Sequence, residues 1–92
     1  MEITKRTYEF TNSFPVQEQY GLVSQMQRSA VSIPSNIAEG CSRDSDKDFV
    51  RYLRIALGSS FELETQSRIS AELGFIDREG MELFMDDLGE LQ

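Results

Sequence analysis

Apolar residues recur at intervals of three and four along almost all of this 92-residue chain, and no stretch alternates in the way a half-buried strand would. The pattern predicts four helices. A short first helix covers about Ile3 to Asn12 and ends before Ser13-Phe14-Pro15. Asn12 or Ser13 is suited to cap the second helix, with Pro15 in its first turn. That helix places Leu22, Met26, Ala30, Ile33 and Ile37 on one face. Ser45 caps a third helix from about Asp46 to Leu73, with Asp46 and Asp48 in its first turn and Gly74 as its stop. Asp77 caps a fourth, in which Met81, Phe84, Met85, Leu88 and Leu91 form a stripe. Four helices joined by short connections predict an all-α, antiparallel up-down four-helix bundle, a single domain over residues 1–92.

Pro34 interrupts this regularity. A proline inside a helix removes a donor and crowds the carbonyl four residues back. Yet the apolar stripe passes through it in phase, since Ile33 and Ile37 are both needed on the core face. The reading is one helix kinked at Pro34 and closed at Gly40 by a left-handed cap, with Ser32, Ser35 or Asn36 satisfying the freed backbone group.

The third helix carries more apolar surface than one small bundle can cover. Phe49, Leu53, Ala56 and Leu63 form the face expected to pack inside. Val50, Leu57 and Phe61 lie about 100° round the same helix, and Ile55, Ile69 and Leu73 lie on its other side. Val50, Leu57 and Phe61 are therefore the candidate surface for self-association, because large exposed apolar patches mark partner sites. Gly58, in the middle of this helix, costs about 1 kcal/mol relative to alanine, which suggests the close approach of a neighbouring helix.

Polar patterning adds two candidate surfaces. Glu18, Gln25, Arg28, Ser32, Asn36 and Glu39 run beside the apolar face of the second helix, and Glu62 and Glu64 add carboxylates on the third. Facing carboxylates in a bundle can bind a metal and support a small metal-dependent enzyme. Such sites typically use Glu-x-x-His pairs, and the chain has no histidine. The favoured reading is a structural polar network with no catalytic residue, metal or cofactor. The second surface is basic: Arg43, Lys47, Arg51 and Arg54 follow one another at helical spacing and could grip the phosphates of RNA or DNA. Its competitor is a solvated face paired with Asp44 and Asp48.

The net charge of -7 argues against broad affinity for nucleic acid or anionic membranes. The single cysteine, Cys41, excludes an internal disulfide and reads as an inert small residue near a helix end. The first ten residues lack the apolar core of a signal peptide, and no segment approaches the roughly 20 apolar residues of a membrane span. A cytoplasmic protein is expected.

The segments FPVQEQYGLVSQMQRSAVSIPSNIAEG and FVRYLRIALGSSFELETQ resemble the four-helix bundle proteins associated with intervening sequences of 23S ribosomal RNA genes, the S23-type proteins. The resemblance spans about Phe14 to Phe75 and also extends to the accessory protein of diversity-generating retroelements. It implies a ring-like homopentamer without enzymatic activity and, from the retroelement relatives, contact with nucleic acid and a reverse transcriptase through a basic surface. Those relatives are strongly basic, whereas this chain is acidic. Against the family pattern the first helix looks short and the fourth stops at Gln92, as in a minimal member or a portion of a longer chain.

Overall fold

Serine and threonine, as much as leucine, decide which helix faces turn inward. The computed structural model describes residues 2–92 as four α-helices: α1 (Glu2–Thr11), α2 (Leu22–Cys41), α3 (Asp46–Glu72) and α4 (Arg78–Leu91). A short 3₁₀ turn, Val16–Glu18, lies between α1 and α2. The helices form an antiparallel up-down bundle in which each packs against the next and α4 returns to α1. The molecule measures 44 × 25 × 18 Å. The 27 residues of α3 span about 40 Å at 1.5 Å per residue, and the ten of α1 only about 15 Å.

Two helix starts and one stop follow the sequence closely. Ser45 Oγ accepts the Asp48 N–H at 3.1 Å, and Asp77 Oδ1 accepts the Gly80 N–H at 2.6 Å, each satisfying a donor that the first turn leaves free. Gly74 takes φ +79° after α3. There the Phe75 N–H bonds the Ser70 carbonyl at 2.9 Å and the Gly74 N–H bonds the Ala71 carbonyl at 3.0 Å, a Schellman closure.

The core centres on Val23, Met26, Ala30 and Ile33 from α2, Leu63 from α3, and Phe84 and Leu88 from α4, with Ile3, Phe14 and Ile76 closing it. Phe10 meets Phe84 edge-on at 5.0 Å, and Phe14 packs on Phe75 at 5.4 Å. The inward stripe of α1 is Ile3, Thr7 and Thr11, and that of α3 includes Ser59, Ser60, Ser67 and Ser70. Most of these hydroxyls bond back to carbonyls of their own helix: Thr7 to Ile3 at 2.8 Å, Thr11 to Thr7 at 2.9 Å, Ser67 to Leu63 at 2.8 Å and Ser70 to Gln66 at 2.8 Å. Satisfied in this way, small polar residues can be buried and let helices approach closely.

Several details differ from the sequence reading. Pro15 does not start α2. Phe14 is buried against Phe75, which turns the chain through the 3₁₀ segment, so α2 begins only at Leu22 and Glu18 is not part of it. Gly40 is not a left-handed cap but a buried residue inside α2. A Cβ there would lie 3.0 Å from Tyr52 Cβ and 3.3 Å from the Phe49 carbonyl oxygen, so glycine is needed where α2 crosses α3. Among the described residues no helix approaches Gly58, since none has an atom within 4 Å of a Cβ built there. Leu53 is 37% exposed and Phe49 only half-buried, because the core does not extend to that end of the α2–α3 hairpin.

Pro34 lies inside α2, which continues through it. The Ala30 carbonyl, which has no N–H partner at position 34, accepts the Thr4 hydroxyl of α1 at 3.1 Å. The freed group is thus satisfied from a neighbouring helix and not by Ser32 or Asn36, and the proline helps to dock α1. Thr4→Val should keep the shape and strand this carbonyl, destabilising the fold by about 1–3 kcal/mol. Urea unfolding with an unchanged midpoint would contradict that role.

Candidate interaction surfaces

The most apolar stripe of α3 faces away from the bundle. Buried Ala56, Ser59, Ser60, Leu63, Ser67 and Ser70 occupy its inner side. At 100° per residue, Val50, Leu57 and Phe61 fall within about 40° of one another on an outer flank. Their exposures are 42%, 39% and 48%. Arg54 and Arg68 share this arc and are also exposed. Val50, Leu57 and Phe61 therefore form one half-exposed strip, roughly 16 Å long at the rise of an α-helix.

The basic residues cluster where α2 turns into α3. Arg43 and Arg51 both stack on the ring of Tyr52, their guanidinium carbons 5.1 and 4.9 Å from its centroid. Both also donate to the Tyr52 hydroxyl, at 3.2 and 3.3 Å. Arg43 pairs in addition with Glu39 one turn earlier. The Arg43 pKa is raised above its already high value, by Tyr52 first and then by Glu39, so this residue stays cationic. Lys47, Arg51 and Arg54 line an open groove of about 760 Å³ together with Val50, Ile55, Asp46 and Asp48. Tyr52, which holds two arginines together, was not singled out in the sequence; the signal available was its position between Arg51 and Arg54.

The polar residues divide into three groups. Ser32 and Asn36 do meet α3: Ser32 Oγ lies 2.7 Å from Ser59 Oγ, and Asn36 Nδ2 donates to the Ser32 hydroxyl at 2.9 Å and to its carbonyl at 2.8 Å. Gln25 and Arg28 join Ser32 along an open groove of about 460 Å³ whose other wall is Ser59, Glu62 and Gln66. Glu39 belongs instead to the Arg43 cluster, and Glu18 sits beside Gly21, its carboxylate 3.7 Å from a Cβ built there. Glu64 is half-buried on α3, outside the groove lining. The eight residues are therefore not one network. Ser59 and Gln66 were missed as partners, although both lie one or two turns along α3 from residues that line the same groove. Asn36→Leu removes both amide bonds and should cost about 1–3 kcal/mol. A melting temperature equal to that of the wild type would show that these bonds contribute nothing.

Among the described residues, no three or more histidine, cysteine, aspartate and glutamate side chains come together as a metal site. Cys41 is exposed at the end of α2. No helix among them is long and apolar enough to cross a membrane.

Taken together, these features define an all-helical bundle built on a long α2–α3 hairpin with apolar and basic surfaces along α3. The profile of the 23S rRNA-intervening sequence proteins matches residues 1–92, and the chain belongs to that family. It is similar to a crystal structure of a protein of unknown function from the S23 ribosomal protein family of Bacteroides thetaiotaomicron VPI-5482. The two share 27% sequence identity at a TM-score of 0.78, over 97% of this chain and 90% of the other. No curated protein matches the sequence.

Proposed function

We propose that this protein is a non-enzymatic interaction module that assembles with copies of itself through the outer flank of α3. The observation that carries the proposal is the strip of Val50, Leu57 and Phe61, left half-exposed while serines fill the inner face of the same helix. Full burial of a Val, Leu or Phe side chain contributes about 1.5–3 kcal/mol. Covering the exposed remainder of three such residues contributes on the order of 1 kcal/mol each. A ring-like homopentamer, the assembly that the family resemblance implies, would cover this strip in every copy.

Sedimentation of the wild-type protein across micromolar dilutions tests the proposal. A mass several times 10.5 kDa is expected. A single species at 10.5 kDa at every concentration would end it.

A second reading, contact with RNA or DNA through Arg43, Lys47, Arg51 and Arg54, is favoured by the pairing of two arginines on Tyr52. Phosphate contacts of that kind weaken steeply with salt. Binding to a labelled single-stranded RNA, measured at two salt concentrations, distinguishes this reading from a solvated basic face.

A further inference from the structure

We propose that the polar groove between α2 and α3 binds a small zwitterion, a molecule of amino-acid or dipeptide size with one ammonium and one carboxylate group. The groove is separate from the apolar strip on α3, and no residue of α1 or α4 lines it. Its volume of about 460 Å³ falls in the range of roughly 300–1,000 Å³ found for small-molecule sites.

The chemistry of the walls selects the ligand. Arg28 stands on the α2 wall and Glu62 on the α3 wall, and among the described residues no ion pair joins them. An anion would gain Arg28 but be repelled by Glu62, and a cation would meet the reverse. A neutral molecule would use neither charge. A zwitterion satisfies both, its carboxylate in a charge-assisted hydrogen bond to the planar guanidinium and its ammonium against Glu62.

Gln66 lines the α3 wall, but its side-chain oxygen is shut off from solvent, without a hydrogen-bond partner among the described residues, and so offers a ligand no acceptor. An ammonium group, with three N–H donors, bonds the Glu62 carboxylate instead. Ser32 and Ser59 offer hydroxyls already oriented by their mutual 2.7 Å bond and by Asn36, and Ile55 gives one end of the groove an apolar surface.

The test is a titration of ¹⁵N-labelled wild-type protein with glycylglycine, followed through the Gln66 side-chain amide and the backbone amides of Ser32 and Ser59. N-acetylglycine, which keeps only the carboxylate, and glycinamide, which keeps only the ammonium, serve as single-charge controls. Saturable shifts are expected with glycylglycine in the millimolar range, with each control about tenfold weaker, the loss of one charged contact. Arg28→Gln should reduce glycylglycine binding to the level of glycinamide, and Glu62→Gln to that of N-acetylglycine. Both residues are exposed, so the variants should keep the wild-type helix content, which circular dichroism checks. Shifts that fail to saturate, or controls that bind as tightly as glycylglycine, would overturn the proposal. Neither result bears on self-association.

Discussion

Phe84→Ala is expected to cost about 3–5 kcal/mol, the usual range for deleting a fully buried aromatic ring. Phe84 is 0% exposed and meets the Phe10 ring edge-on at 5.0 Å. It also belongs to the core that joins α4 to α2 and α3. The loss is therefore more than a cavity. A helix of 14 residues is marginal by itself in water, so α4 depends on its packed face to remain helical. Loosening α4 also weakens the hold on α1, which the Arg6–Asp87 ion pair at 2.9 Å otherwise ties to it. Domains of this size have total stabilities of about 5–15 kcal/mol, so this one substitution should remove a large share. At roughly 4–8 °C per kcal/mol, the melting temperature should fall by more than about 10 °C. A shift of only a degree or two in a circular dichroism melt would mean that the ring is not packed as described.

Helix content and order were legible in the sequence because α2 and α4 follow the usual rule of apolar residues inside. Met26, Ala30 and Ile33 are buried as their spacing predicts, and so are Phe84 and Leu88. Ser45, Gly74 and Asp77 mark helix ends because each supplies a local feature, a side-chain acceptor or a positive φ, that needs no knowledge of the rest of the fold. The inner face of α3 was not legible in the same way. A reading that ranks residues by hydrophobicity passes over Ser60, Ser67 and Ser70, yet they recur with Leu63 at steps of three and four and go inside. The hydroxyls can do so because carbonyls of their own helix satisfy them, which apolar periodicity does not register.

Glycines gave a similar lesson. Gly40 reads in sequence as the end of a helix and Gly58 as the point of close approach, and the structure reverses the two. What separates them is whether another helix passes close by. Tyr52 and Phe49 do so at Gly40, and none of the described residues does at Gly58. The partner of the Ala30 carbonyl, Thr4, lies 26 residues away and could be identified only once α1 was placed against α2. The candidate surfaces were legible in part for the same reason. Exposure of Val50, Leu57 and Phe61 follows from counting faces on one helix, whereas joining Arg43 and Arg51 on Tyr52, or Ser32 to Ser59, requires the α2–α3 hairpin.

The second large effect concerns Leu57 and Phe61 together. Replacing both with glutamate puts two carboxylates at the centre of the exposed strip. In the isolated chain these positions are 39% and 48% exposed, so the new charges remain in water and the fold should tolerate them. In an assembly that covers the strip, each carboxylate would lose its hydration without a compensating partner, at a cost of several kcal/mol per charge. Association should weaken by more than a hundredfold, since every 1.4 kcal/mol is a factor of ten. Light scattering of wild type and the Leu57→Glu/Phe61→Glu variant, side by side at the same micromolar concentration, tests the central claim most directly. The wild type should give a multiple of 10.5 kDa, and the variant should fall to the mass of one chain with its helical circular dichroism intact. A variant that kept the assembled mass of the wild type would show that the outer flank of α3 is not the surface that holds the copies together.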